Sequence, residues 1–129
     1  MGQPAAKQGD RITALDTHLI QPPPPATPVP VPHPFSGIID GSLSGDVNIE
    51  GRAAATVDST ATNTPPHIPI GGTFVNPPAN RGTIIRGSAT VSINGKPAAR
   101  AGDTAKTCND PVDLPVGTVI AVGTVSIGG

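Results

Sequence analysis

The end of this chain reads as the opening of a motif that its beginning completes. The last residues run Thr124-Val-Ser-Ile-Gly-Gly129 and the first run Gly2-Gln-Pro-Ala-Ala-Lys-Gln-Gly-Asp10. Placed end to end, they reproduce an internal stretch, Thr90-Val-Ser-Ile-Asn-Gly-Lys-Pro-Ala-Ala-Arg-Ala-Gly-Asp103. A third, more diverged copy is Val47-Asn-Ile-Glu-Gly-Arg-Ala-Ala-Ala-Thr56. A chain with three related units, one of them split across its termini, is expected to close on itself as a pseudo-threefold object whose ends meet. A threefold shape in turn implies a threefold partner.

The repeat extends upstream of each copy. Gly37-Ile-Ile-Asp-Gly-Ser, Gly82-Thr-Ile-Ile-Arg-Gly-Ser and Gly117-Thr-Val-Ile-Ala-Val-Gly precede the three units in turn. Each unit thus reads Gly, an aliphatic pair, a Gly-containing turn and an alternating Val-x-Ile strand. The spacing from Val47 to Val91 is 44 positions and from Val91 to Val125 is 34, so insertions of unequal length separate the units. The pattern predicts short strands at Ile38-Ile39, Val47–Ile49, Ile84-Ile85, Val91–Ile93, Val119-Ile120 and Val125–Ile127, flanked by Gly or Asn. No stretch carries apolar residues at helical spacing free of Gly, Pro or β-branched interruption. The expected fold is all-β: a small pseudo-threefold cone of short β-hairpins, formed by residues 1–129 as a single domain. Residues 21–34, a polyproline-like arm, and residues 64–80, also Pro-rich, are read as stiff loops inserted between repeat units and gathered at one end.

Composition narrows the function classes. Sixteen Gly and 17 Pro would by themselves suggest disorder, but the net charge is only −1 and aliphatic strands recur at defined places. Two Phe and no Trp or Tyr leave no large aromatic core and no stacking platform for single-stranded nucleic acid. Eight Lys and Arg against nine Asp and Glu give no basic patch for phosphates. No apolar run reaches the ~20 residues of a membrane span, and no secretory signal is visible at the start. The expectation is a protein made in the cytoplasm and exported, if at all, by other machinery. The single cysteine excludes an internal disulfide.

The chain has three histidines and that one cysteine: His18, His33, His67 and Cys108. Three of the four follow a repeat unit at a similar offset, His18 after Asp10, His67 after Ser59 and Cys108 after Asp103, while His33 lies in the Pro-rich arm. Equivalent loops of a threefold object meet near its axis, so these side chains could converge. Three imidazoles and a thiolate form a closed tetrahedral zinc set of the structural kind. The spacing alone also fits three exposed loop histidines and a buried thiol, since no Cys-x-x-Cys or His-x-x-x-His pair is present. No Ser/His/Asp elbow, phosphate loop or clustered carboxylate pair is found. A hydrolytic zinc site needs an open coordination position and a general base, and four protein ligands leave none open.

The segment Pro97-Ala-Ala-Arg100, in its frame Asn94–Asp103, resembles the motif that names the PAAR-repeat family. Pro4-Ala-Ala-Lys7 is a near copy and Arg52-Ala-Ala-Ala-Thr56 a degraded one, so the resemblance covers essentially the whole chain. PAAR-repeat proteins tip the spike of contractile injection machines, either type VI secretion systems or extracellular phage-tail-like particles. The resemblance implies a cone of β-hairpins seated by its broad base on a trimeric β-helical spike of the VgrG or phage-spike kind, one tip per trimer, with separate effectors as further partners. It implies one structural zinc near the apex, held by His18, His33, His67 and Cys108, beneath Pro-rich apical loops. It implies a membrane-piercing structural role and no enzyme activity, and the sequence offers no segment for a fused toxin. The extracellular-particle branch is the favoured one. Candidate partner contacts at the base are the aliphatic pairs Ile38 and Ile39, Ile84 and Ile85, and Val119 and Ile120; a strand alternates faces, so only some of these point outward. The competing expectations are a small zinc-dependent enzyme with an open metal site, and a stand-alone secreted adaptor or adhesin that needs no trimeric partner.

Overall fold

In the computed structural model, which describes residues 2–128, the two ends of the chain lie side by side: Gln3 faces Ile127 and Pro4 faces Ser126 in an antiparallel pair. In chain order the strands are β1 (Gln3–Pro4), β2 (Arg11–Gln21), β3 (Val29–Gly41), β4 (Asn48–Ile49), β5 (Arg52–Ala53), β6 (Thr60–Asn63) and β7 (Thr73–Phe74). They continue with β8 (Arg81–Ile84), β9 (Ser92–Ile93), β10 (Lys96–Pro97), β11 (Thr104–Thr107), β12 (Leu114–Ile120) and β13 (Ser126–Ile127). Among the described residues there is no helix, in keeping with the absence of helical periodicity.

At one end sit three small hairpins, β4–β5, β9–β10 and the split pair β13–β1. Glu50-Gly51 and Asn94-Gly95 make the two-residue turns of the first two. All four of these residues have positive φ, 51° and 80° in one turn and 52° and 79° in the other. Both turns are therefore type I′, in which Gly and Asn carry little steric cost and a residue such as Glu50 carries more. The repeats then meet in a closed ring of backbone hydrogen bonds. Ala6 N–H donates to Ala99 O, Ala99 N–H to Ala55 O and Ala55 N–H to Ala6 O, at 3.0–3.1 Å. The small side chain matters here. All three alanines are fully buried, and a larger residue on the axis would push the units apart.

Above this ring each unit makes the same turn. The backbone N–H of Lys7, Thr56 and Arg100 donates to the side-chain oxygen of the residue three further on, Asp10, Ser59 and Asp103. Those three residues in turn accept, through their backbone carbonyls, from Ile39, Ile84 and Val119. The threefold register of the sequence is thus reproduced bond for bond, with Ser59 standing where the other units have an aspartate.

The rest of the chain is a closed wall of antiparallel strands in the order β2-β3-β6-β8-β11-β12 and back to β2, with β7 added at the far end of β2. Three hairpins build it: β2–β3, β6–β8 and β11–β12. Inside lies an aliphatic core that includes Ile12, Ile39, Ile84, Val119 and Phe35, and a second small core of Ala5, Ala54, Ala98, Ile49, Ile93 and Ile127 fills the small-hairpin end. Strand alternation divides the six aliphatic candidates for partner contact. Ile39, Ile84 and Val119 are fully buried and belong to the core, whereas Ile38 is half-buried and Ile85 and Ile120 are 43 % and 47 % exposed.

The Pro-rich arm departs from its reading as a loop throughout. Residues 29–34 are strand, paired with β2 in the register Leu19↔Pro30, Thr17↔Pro32 and Leu15↔Pro34. Over this stretch β3 has no second neighbour, since its pairing with β6 begins at Gly37. Proline lacks only a donor that would have faced the open edge, which is where a strand tolerates it. The alternation of Pro with Val31, His33 and Phe35 leaves the non-proline side chains facing inward.

Candidate metal centre

The long first hairpin drives inward-facing positions of β2 and β3 well beyond the aliphatic core. On β2 these are Ile12, Ala14, Asp16, His18 and Ile20; on β3 they are His33 and Phe35, with Asp16 directly opposite His33 and Ala14 opposite Phe35. Polar residues inside a barrel need partners. Here they meet His67 from the loop between β6 and β8 and Cys108 from the end of β11. Asn80 seats that loop, accepting from the His67 backbone N–H at 2.8 Å and from Asn63 Nδ2 at 3.2 Å. The chain after Cys108 is clipped to β2: Thr17 N–H donates to Asn109 Oδ1 at 2.6 Å and Leu19 N–H to Asp110 Oδ2 at 2.8 Å.

The three imidazoles pack edge to face, with ring centroids 5.6 Å apart for His18–His33, 5.0 Å for His18–His67 and 5.6 Å for His33–His67. Cys108 Sγ lies 3.8 Å from His18 Nε2 and 3.5 Å from an Asp16 carboxylate oxygen. That same oxygen is 2.7 Å from His67 Nε2. Ligand atoms of Asp16, His18, His67 and Cys108 all fall within 4.8 Å of one another. His33 stands at the edge of this group, with Nδ1 donating to Val31 O at 2.8 Å. That bond fixes the tautomer and leaves the Nε2 lone pair free, and Nε2 is buried with no hydrogen-bond partner. His18 Nδ1 is also buried without one; the Asp110 carboxylate is 3.5 Å away but out of hydrogen-bond alignment.

The structure therefore brings together all four residues read from the sequence, and adds one that the sequence reading missed. Asp16 lies two residues before His18 on the same face of one strand, and period-two alternation from His18 is the signal that could have found it. Both phenylalanines of the chain pack against the imidazoles as well: Phe35 against His67 at 6.0 Å, and Phe74 against His18 and His33 at 5.7 and 5.5 Å.

Burial sets the protonation state of two of these donors. Burial, with the neighbouring imidazoles His67 and His33 adding to it, lowers the His18 pKa below its ordinary value, so the ring is held neutral and able to ligate. Burial and then the Asp16 charge push the Cys108 thiol up to about 11, against donation from the backbone of Asn80 and Arg81. A coordinated cation reverses that last effect, because a thiol bound to a metal is deprotonated. Unpartnered, buried imidazole nitrogens beside a thiol and a carboxylate fit a transition-metal ion.

Comparison with protein families gives a match to the PAAR motif over residues 30–105 and again over 76–129. The chain belongs to the PAAR-motif family. It is a PAAR-repeat protein of contractile injection systems, and the closed all-β cone is the fold this membership leads one to expect. The first match takes in the copies at 47–56 and 90–103, and the second takes in the copy at 90–103 and the C-terminal half of the unit split across the termini. A comparison with curated proteins finds no match. The family is structural and its members associate with a spike protein.

Proposed function

We propose that this protein is the sharpened tip of a contractile injection spike, that one copy caps a trimeric β-helical spike, and that a zinc ion held by the buried cluster braces its apex. The carrying observation is the ring of hydrogen bonds joining Ala6, Ala99 and Ala55, with identical turns above it in each repeat. One chain thereby presents three like units to three like subunits, and it covers strand ends that would otherwise expose unpaired backbone groups. The end with the three small hairpins is the broad base, and the end with the histidines is the apex.

The ion would be held by His18, His67 and Cys108, with His33 presenting its free Nε2. Bound zinc supplies a cross-link. The side chains' own contribution is to tie the first hairpin, the loop after β6 and the end of β11 to one another. That suits a part that must not crumple when sheath contraction drives it into a membrane, since such a cross-link restrains the chain without a large core. The role is mechanical: Asp16, His18, His33 and Cys108 are 0–3 % exposed, and the cavity that opens beside His33 and His67 is otherwise lined mainly by Pro34, Pro65, Pro66, Ile68 and Ile70, with no general base. The tip is delivered as part of the particle, made in the cytoplasm and carried outward by the machine, with effectors as further cargo.

Native mass spectrometry of the tip mixed with its trimeric spike tests the docking, and one tip per trimer is expected. Three tips per trimer, or none, would refute it. Ile85→Asp, at an exposed position just past the end of β8, should abolish the complex while leaving unfolding within about 0.5 kcal/mol of wild type. A variant that still binds would remove Ile85 from the docking surface. Metal analysis of protein purified without added zinc or a nickel column should return one zinc per chain. A metal-free protein whose stability is unaffected by chelator would refute the zinc brace.

A further inference from the structure

Asp16 is the member of the cluster that the four-ligand reading leaves over. Its side chain is fully buried. It accepts from the Thr107 hydroxyl and from Asn109 Nδ2, lies 2.7 Å from His67 Nε2, and is 3.5 Å from Cys108 Sγ. No lysine or arginine among the described residues pairs with it; the cationic partners of the molecule's acids sit at Asp10, Asp58 and Asp103, all elsewhere. A carboxylate taken wholly out of water is costly unless a charge is set against it, and the nearest nitrogen here is the His67 imidazole at 2.7 Å. Thr107 and Asn109 hold one oxygen, leaving the other turned to the same space that Cys108 and His67 face.

Charge balance points the same way. A divalent ion with one thiolate and neutral imidazoles leaves a buried centre at +1. Adding one carboxylate brings it to zero. We propose that Asp16 is itself a ligand to the ion, so that the centre is a charge-neutral, carboxylate-containing site with His33 as its fifth donor. This rests on the metal reading of the cluster. The centre is then not a closed tetrahedral Cys/His site, and its oxygen donor widens the range of divalent ions it accepts toward harder ones.

The test uses the full chain, titrated with zinc and separately with cobalt(II), in wild type, Asp16→Asn and Asp16→Glu. Cobalt(II) in the wild type should show a thiolate charge-transfer band from Cys108 and the weak visible bands of a five-coordinate ion. Asp16→Asn should keep the charge-transfer band, shift the visible bands toward the more intense four-coordinate pattern, and lower zinc affinity by at least about tenfold. Its gain in melting temperature on adding zinc should shrink relative to wild type. Asp16→Glu keeps the charge and should retain binding with altered visible bands. It serves as the readout if the asparagine variant does not fold. An unchanged cobalt spectrum in Asp16→Asn overturns the proposal, even with reduced affinity, since the residue would then act only by orienting His67. Equal loss of melting temperature with and without metal also overturns it. If the wild type itself takes up neither ion, the metal reading fails and this proposal with it.

Discussion

Phe35→Ala probes how the aliphatic core and the histidine cluster are joined. The Phe35 ring is buried between them, 6.0 Å from the His67 ring. It lies over two glycines: a Cβ placed on Gly37 would stand 2.8 Å from the ring and one on Gly82 3.3 Å. Those two positions carry no side chain that could swing into the space left by truncation, which keeps much of the cavity open. The cost then sits within or near the top of the roughly 3–5 kcal/mol seen for Phe-to-Ala changes in cores. With an unfolding entropy of about 2.1 cal/mol/K per residue, 129 residues give about 0.27 kcal/mol/K, so the melting temperature should fall by about 11–18 °C. Differential scanning calorimetry in chelator and in zinc reads this directly. Phe35 offers no ligand atom, so most of the loss should appear in both conditions, which separates it from the loss expected of a ligand variant. A drop under about 4 °C would mean that the space collapses or fills, and the view of Phe35 as the joint between core and cluster would be refuted.

Two further outcomes follow from the same geometry. Ala99→Leu inserts a bulky side chain at the fully buried ring of Ala6, Ala55 and Ala99; it should destabilise by about 1–3 kcal/mol or more in a thermal melt, and a melt equal to wild type would refute the tight axial packing. Because the folded His18 pKa lies below the ordinary 6.5, the unfolded chain binds a proton first as pH falls. Stability in chelator should therefore be level above about pH 6.5 and decline below it toward the lowered folded value, and His18→Gln should flatten that decline; the same slope in both proteins would refute the assignment.

The threefold plan was legible because it is written in local order: Val47, Val91 and Val125 accept equivalent backbone bonds from Ala54, Ala98 and Ala5, as their alignment predicts. The four metal candidates were legible for a different reason. They are all of the chain's histidine and cysteine, so composition singled them out. Asp16 was not, since aspartate is common in turns and nothing in its immediate neighbours marks it as inward-facing. Only the face shared with Ile12, His18 and Ile20 does, and that requires knowing that β2 runs unbroken from Arg11 to Gln21. Residues 29–34 misled because proline density argues for a loop, whereas an unpartnered strand edge removes the penalty that makes the argument work. Phe74 reaches the cluster from an insertion whose path depends on β7 pairing with the end of β2, a contact with no local signature.

The division between a symmetric base and an asymmetric apex explains why one chain does what three identical chains could also have done. A homotrimer closing on its own axis offers donors only in threes. Here the first hairpin supplies Asp16, His18 and His33, the second contributes His67 through its connecting loop, and the third contributes Cys108. Under the proposed docking, fusing the repeats keeps a threefold face toward the trimer and frees the far end to differ. The unequal insertions that break the sequence spacing are where that freedom is used. They lengthen the first hairpin so that its interior positions extend past the aliphatic core, and they carry a histidine inward from the second. The chain's insertions thus act on one end of the barrel, and the ring of Ala6, Ala55 and Ala99 holds the other end in register despite them.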